Sequence, residues 1–158
     1  LERGGRPYRM VDFSPYGYDE RQYCSPGFDL PVGSLSRTPY GQYPEYHTSA
    51  DDLSLVRPAC LEESLETCWR LLRVLEGDRR YLNLSPYGEP QLGRRGLYGS
   101  TGGQSHTQES QMAMLWVLNL ADGRHSLLDV AERAGLAFEL VEAAAARLRD
   151  GGLLAEAD

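Results

Sequence analysis

Two stretches of the chain carry apolar residues at a helical period. Over residues 58–76, Leu61, Leu65, Cys68, Trp69, Leu72 and Leu75 recur every three or four positions, which gathers them on one face of a helix. Pro58 suits a first helical position, and Gly77 is a natural stop. Glu62, Glu63 and Glu66 lie at the end where the helix dipole favours anions. The spacing predicts a helix that covers a sheet. The second stretch is 105–158. There Met112, Leu115, Trp116, Leu118 and Leu120 mark a first helix, behind a capping box at Ser105 and Gln108. Asp122-Gly123 turns the chain. Leu127, Leu128, Val130 and Ala131 mark a short second helix, capped by Ser126 and Asp129 and ended by Gly135. Phe138 to Asp150 is a third, with Leu140, Val141, Ala144 and Leu148 inward. Gly151-Gly152 stops it, and the LLA that follows begins a strand. Three helices and a strand make a winged-helix pattern.

Elsewhere the pattern is irregular. Residues 1–57 are rich in Tyr, Pro, Gly and Ser. Tyr8 to Phe13 and Leu30 to Leu35 read as strands, although Pro31 and Gly33 weaken the second. The DERQYCSPG between them gives one helical turn. Strands alternating with helices predict an α/β sheet. Residues 77–104 are dense in Gly and Pro and read as a connection, with Tyr81 to Leu84 extended and the Arg-Arg-Gly at 94–96 a solvated basic spot. The expected organisation is therefore an α/β domain over 1–78, a connection over 79–104 and a mostly α winged helix-turn-helix over 105–158.

Composition removes several chemistries. The 158 residues include no Lys, so a Schiff-base nucleophile, a pyridoxal anchor and a phosphate-loop lysine are all excluded. The net charge of −7 disfavours nucleic acid. Residues 105–158 hold nine acids against four arginines, a net −5, and Glu139 and Glu142 sit where a reading helix would meet phosphates. DNA is an unexpected partner. Cys24, Cys60 and Cys68 are odd in number and contain no Cys-x-x-Cys, which fits reduced thiols and a cytoplasmic location. No apolar run reaches the roughly 18 residues of a membrane span. The chain starts without Met or a secretory signal, as a fragment of something longer would.

One loop carries chemistry. In Tyr46-His47-Thr48-Ser49-Ala50-Asp51-Asp52 a histidine precedes an acid by four residues, among Gly, Pro and Tyr. A neutral imidazole binds zinc through one nitrogen when another group orients the second. Asp51 either provides that orientation or caps the next turn. Tyr46 either lines a pocket or packs.

This segment resembles the last metal-ligand motif of the di-zinc aminopeptidase superfamily, and Gly17-Tyr18-Asp19-Glu20 resembles its Gly-Ser-Asp-His step. GFDLPVGSL, from Gly27, resembles that superfamily's glycine-then-strand segment. FSPYGYDERQYCSPGFDLPVG, RTPYGQYPEYHTSADDL and SPYGEPQLGRRGLY are similar to a bacterial family of aminopeptidase-like proteins, labelled as a domain of unknown function and tied to polysaccharide biosynthesis. The resemblance implies part of a phosphorylase/hydrolase-like zinc-peptidase sheet, a winged helix at the C-terminal end, and a site for two zinc ions acting on a peptide or amide. His47 is then the last histidine ligand, Asp51 the acid behind it, and Asp19 a residue that positions substrate or ligands. The other ligands and the general base would lie upstream of residue 1, because His106 and His125 stand in the wrong places. The expectation is a fragment that is catalytically incomplete and partnered by the missing N-terminal part. The rival expectations are a winged-helix binding module with a non-catalytic peptidase-like remnant, engaging protein sooner than DNA, and a homo-oligomer built through the winged helix.

Overall fold

The computed structural model describes residues 7–97 and 108–157. The chain falls into two compact units, residues 1–66 and 67–158. Ser105 and His106, and with them the expected capping box, lie outside the described residues.

The first unit is built from turns. Its helices are the short α1 (Asp19–Tyr23) and the start of α2 (Pro58–Gly77). The strands expected over Tyr8–Phe13 and Leu30–Leu35 do not form, and the α/β sheet expected over 1–78 is absent from the described residues. The cause is local as well as tertiary. A strand needs a neighbour to take its N–H and C=O groups, and no described strand lies before Arg80. Around Pro31 the backbone instead closes on itself, the Val32 N–H donating to the Leu30 carbonyl (2.9 Å). Asp29 enters this bend at φ +49°. Among the described residues up to Arg80, none is buried.

The second unit holds the core. Helix α2 ends beside β1 (Arg80–Asn83), and α3 (Gln108–Leu120), β2 (Asp122–Ser126), α4 (Leu127–Ala134), α5 (Phe138–Asp150) and β3 (Leu154–Glu156) follow. The sheet order is β2-β1-β3, with β1 antiparallel to both neighbours. Leu92, Met114, Val117, Val141, Leu148 and Leu153 are fully buried at its centre. Burying that many large apolar side chains at about 1.5–3 kcal/mol each gives this unit a driving force that the first lacks. In α3 the inward face is Ala113, Met114, Val117, Leu118 and Leu120, whereas Met112 points out and Leu115 and Trp116 are half-buried. A helix covered on one side needs only one face apolar, so the surplus apolar residues of α3 did not identify that face.

The stretch 79–104, which reads as a connection, is structural where it is described. It contributes the central strand, and Leu92, in a 3₁₀ turn over Leu92–Arg95, has no exposed surface at all. Asn83 ties β1 to α3: its side-chain amide donates to the Leu118 carbonyl (2.9 Å) and its N–H to the Ala121 carbonyl (2.8 Å). The basic spot is anchored too, with the Arg95 guanidinium donating to the Gly151 carbonyl (3.0 Å).

Helix α4 shows a complete account of its first three N–H groups, which have no partner within the helix. Leu127 donates to the Arg79 carbonyl (2.9 Å), Leu128 to Asp78 Oδ1 (2.8 Å) and Asp129 to Ser126 Oγ (3.3 Å). Asp129 Oδ2 accepts in turn from the Ser126 N–H (2.8 Å), closing the capping box.

Candidate functional site

Residues 43–56 form a succession of tight turns. Tyr46 N–H donates to the Tyr43 carbonyl (3.3 Å), Thr48 N–H to Glu45 (3.0 Å) and Asp51 N–H to Thr48 (3.2 Å). The Thr48 hydroxyl reinforces the bend, donating to the Glu45 carbonyl (2.8 Å) and accepting from the Ala50 N–H (3.2 Å). At the apex His47 takes φ +56°, a left-handed conformation that histidine enters more readily than most residues. The turn exposes its imidazole and leans it on Tyr46, with ring centroids 4.1 Å apart. Neither imidazole nitrogen is hydrogen-bonded to another described residue.

Tyr46 is the hub of an aromatic cluster. Its hydroxyl lies 2.8 Å from the Tyr18 hydroxyl, and its ring sits edge-on to Tyr43 at 5.5 Å. Tyr40 lies 6.4 Å from Tyr46 and packs edge-to-face on Tyr18 at 5.0 Å. The hydroxyl bond to Tyr18, followed by partial desolvation, pushes the Tyr46 phenol up to about 12. Tyr18 arrives from the Gly17–Glu20 turn, where the Glu20 carboxylate accepts the Tyr18 N–H (3.2 Å) and lies against Gly17. The two motifs that the resemblance joined, 17–20 and 46–52, therefore meet through a tyrosine pair.

The acids behave differently from their expected roles. Asp19 opens α1 and is exposed. Asp51 is exposed as well, and no hydrogen bond joins its carboxylate to His47 among the described residues. The next turn is capped by Asp52, whose Oδ1 accepts from the Ser54 N–H at 2.7 Å. Hydrogen bonds from the Ser54 side chain and backbone hold the Asp52 carboxyl below the ordinary carboxylate range. Tyr18, Tyr40 and Tyr43 were missed as partners, although their spacing in Tyr-Gly-Tyr and Tyr-Gly-Gln-Tyr was visible.

A zinc ion needs three or four protein donors. Among the described residues no three His, Cys, Asp or Glu side chains converge on such a point. The described donors alone do not fit a zinc site, and among them His47 stands as a single ligand.

On the second unit, a groove of about 520 Å³ runs beside α5. Arg73, Glu76, Arg79, Glu139, Glu142 and Arg149 are among its walls. Its charges are largely answered, Arg73 by Glu142 (3.7 Å) and Arg79 by Glu156 (3.2 Å). Gly77, at the end of α2, abuts Glu142 and Phe138 so closely that a Cβ there would meet both. The N-terminal face of α5, which a reading helix turns to bases, thus seats the last turn of α2.

Three helices, the capping box of the second and a three-stranded antiparallel sheet coincide over one span, and residues 79–156 match the family described as winged helix-turn-helix. The C-terminal module is a winged helix-turn-helix. Its central strand comes from upstream of its helices, so no hairpin loop joins β3 to that strand as a wing. Residues 1–78, ahead of the winged helix, match a domain of unknown function, DUF4910. The chain is 48% identical over 141 residues to a protein of Clostridium acetobutylicum provisionally named as a polysaccharide biosynthesis protein with an aminopeptidase-like domain. That match covers 89% of this chain and 32% of the relative. A crystal structure from Clostridium acetobutylicum, provisionally described as a peptidase, superposes with a TM-score of 0.87 at 42% identity, covering 99% of this chain and 34% of the other. The chain and its winged helix are homologous to these peptidase-like proteins and span about a third of their length. Among the described residues no helix is long and apolar enough to cross a membrane.

Proposed function

We propose that this chain is part of a longer zinc-dependent aminopeptidase-like hydrolase and that His47 is the metal ligand it contributes. The observation that carries this is the presentation of His47: an exposed imidazole whose two nitrogens are unengaged among the described residues, fixed on a left-handed turn and backed by Tyr46 at 4.1 Å. Such pre-positioning costs backbone strain, which persists where a surrounding structure sustains it. The kinship to a protein with an aminopeptidase-like domain supplies the class. The remaining donors come from the part of the longer protein that this chain does not span. Asp19 and Asp51 are free to position substrate or ligands there, and Tyr46 holds the imidazole plane. The substrate class is a peptide or a related amide.

The winged helix serves contact with protein rather than DNA in this reading. Glu139 and Glu142 oppose phosphates, and the end of α2 sits on the face that would read bases. Binding to a mixed-sequence duplex at low salt is expected to be undetectable, and salt-dependent binding there would reverse the assignment.

The deciding experiment is zinc content and affinity of the long protein, beside its His47→Ala variant. Tight zinc that weakens on substitution, with thermal stability unchanged, is the expected result. A long protein that holds no zinc, or holds it equally well without His47, overturns the proposal and leaves the binding module in its place.

A further inference from the structure

Helix α2 presents two opposite faces. One is used within this chain. The Arg37 guanidinium donates to Glu63 Oε2 (2.7 Å) and to the Cys60 carbonyl (3.3 Å). Further along, Val74 packs on the winged-helix core and Gly77 abuts α5. At 100° per residue Glu63, Val74 and Gly77 fall on one side of the helix. Leu61, Leu65, Trp69, Leu72 and Leu75 fall on the other, and they are between 54 and 72% exposed. Five large apolar side chains in one row along some 20 Å of helix are far more than scattered surface hydrophobics.

We propose that this row is a docking surface, and that its occupant is the part of the longer peptidase-like protein that this chain does not span, presenting an apolar face. The inference rests on the reading of the chain as part of such a protein. Three observations select that occupant. The chain amounts to only 34% of a homologous crystal chain in which 99% of it has a counterpart of the same fold, so about twice its length of further protein accompanies this helix there. No described residue up to Arg80 is buried, so the segment leading into α2 takes no core from its own chain. The packed face of α2 holds the polar anchor Arg37–Glu63, whereas the free row has no acid or arginine among its five members, as a surface that leaves water would require.

The test is co-expression of this chain with the upstream two-thirds of the Clostridium acetobutylicum relative. Co-purification is expected. The thiol of Cys68, which is exposed and borders the row, should react with a maleimide about tenfold more slowly in the complex than in the chain alone. The double variant Leu65→Glu, Leu72→Glu should abolish both effects while leaving the melting of the winged helix unchanged. Co-purification that survives the double variant overturns the proposal. So does a chain that self-associates through the row and ignores the upstream part. Should that part be insoluble, hydrogen exchange of α2 in the intact relative decides: protection no greater than in this chain alone overturns the proposal. The His47→Ala chain separates the two readings, because it should still co-purify. Docking without zinc would sink the metal reading alone.

Discussion

Asp78 Oδ1 accepts the backbone N–H of Leu128 at 2.8 Å, across fifty residues of chain. The bond joins the residue that follows α2 to the second helical position of α4. It does the work of an N-cap from outside the helix. Asp78→Ala should therefore destabilise the second unit by about 1 kcal/mol, the usual cost of losing a cap. Asp78→Asn, which keeps an acceptor oxygen, should recover most of it. Urea unfolding of the three proteins measures the difference, and equal midpoints would show that the bond contributes nothing.

Leu92→Ala tests whether the Gly/Pro-rich stretch belongs to the core. Leu92 is fully buried. Its truncation should cost about 2–5 kcal/mol, the range for leucines in packed interiors. A loss below about 1 kcal/mol, the surface range, would return this segment to the status of a linker.

Asp122 links stability to pH. It accepts from the Arg124 N–H (2.8 Å) and the His125 N–H (3.1 Å), which hold its carboxyl well below the ordinary carboxylate range. A folded pKa below the unfolded one stabilises above the unfolded value, about 3.9, and that contribution fades as pH falls toward the folded value. Thermal melts should therefore drop through pH 4 to 2. Asp122→Asn keeps an acceptor but loses the charge, and its acid limb should be shallower. Parallel limbs would remove Asp122 as a cause.

The tyrosine pair titrates at the alkaline end. Tyrosinate absorbance, compared with Tyr46→Phe, should show Tyr46 ionising near 12. Tyr18→Phe should bring it toward the ordinary value of about 10, since the hydroxyl bond is the largest cause. The sign for stability is the reverse of the carboxylate case: the contribution is full below about 10 and is lost as pH rises through 12. A Tyr46 titration unmoved by Tyr18→Phe would assign the shift to desolvation.

What sequence made visible was what sequence neighbours decide. The spans of α2 and α5 and the capping box of α4 follow from residues within four positions of one another. Those signals are local and survive any tertiary context. The strands at 8–13 and 30–35 failed because a strand exists only against another, and none of the described residues provides it. Leu92 and Asn83 were unreadable for a related reason: Asn83 meets Leu118 across 35 residues, and Leu92 belongs to a core supplied mostly by α3, α4 and α5. At the candidate site, His47 stood out by type, yet its backing did not: Tyr18 and Tyr46 meet over 28 residues. Asp51 stood as the candidate cap, and the turn's geometry gave that place to Asp52.

The order β2-β1-β3 also has a temporal side. Tyr81 pairs with Glu156, so the first strand of the sheet waits for residues about 75 positions further on before its second edge closes. Such distant pairing carries a loop-closure cost that local helices escape. On the ribosome, α3, α4 and α5 would emerge while β1 still lacked one neighbour, and the sheet would complete only once β3 had followed them. Loss of Leu154–Glu156 would thus cost far more than three residues, since it would leave the middle strand as a bare edge.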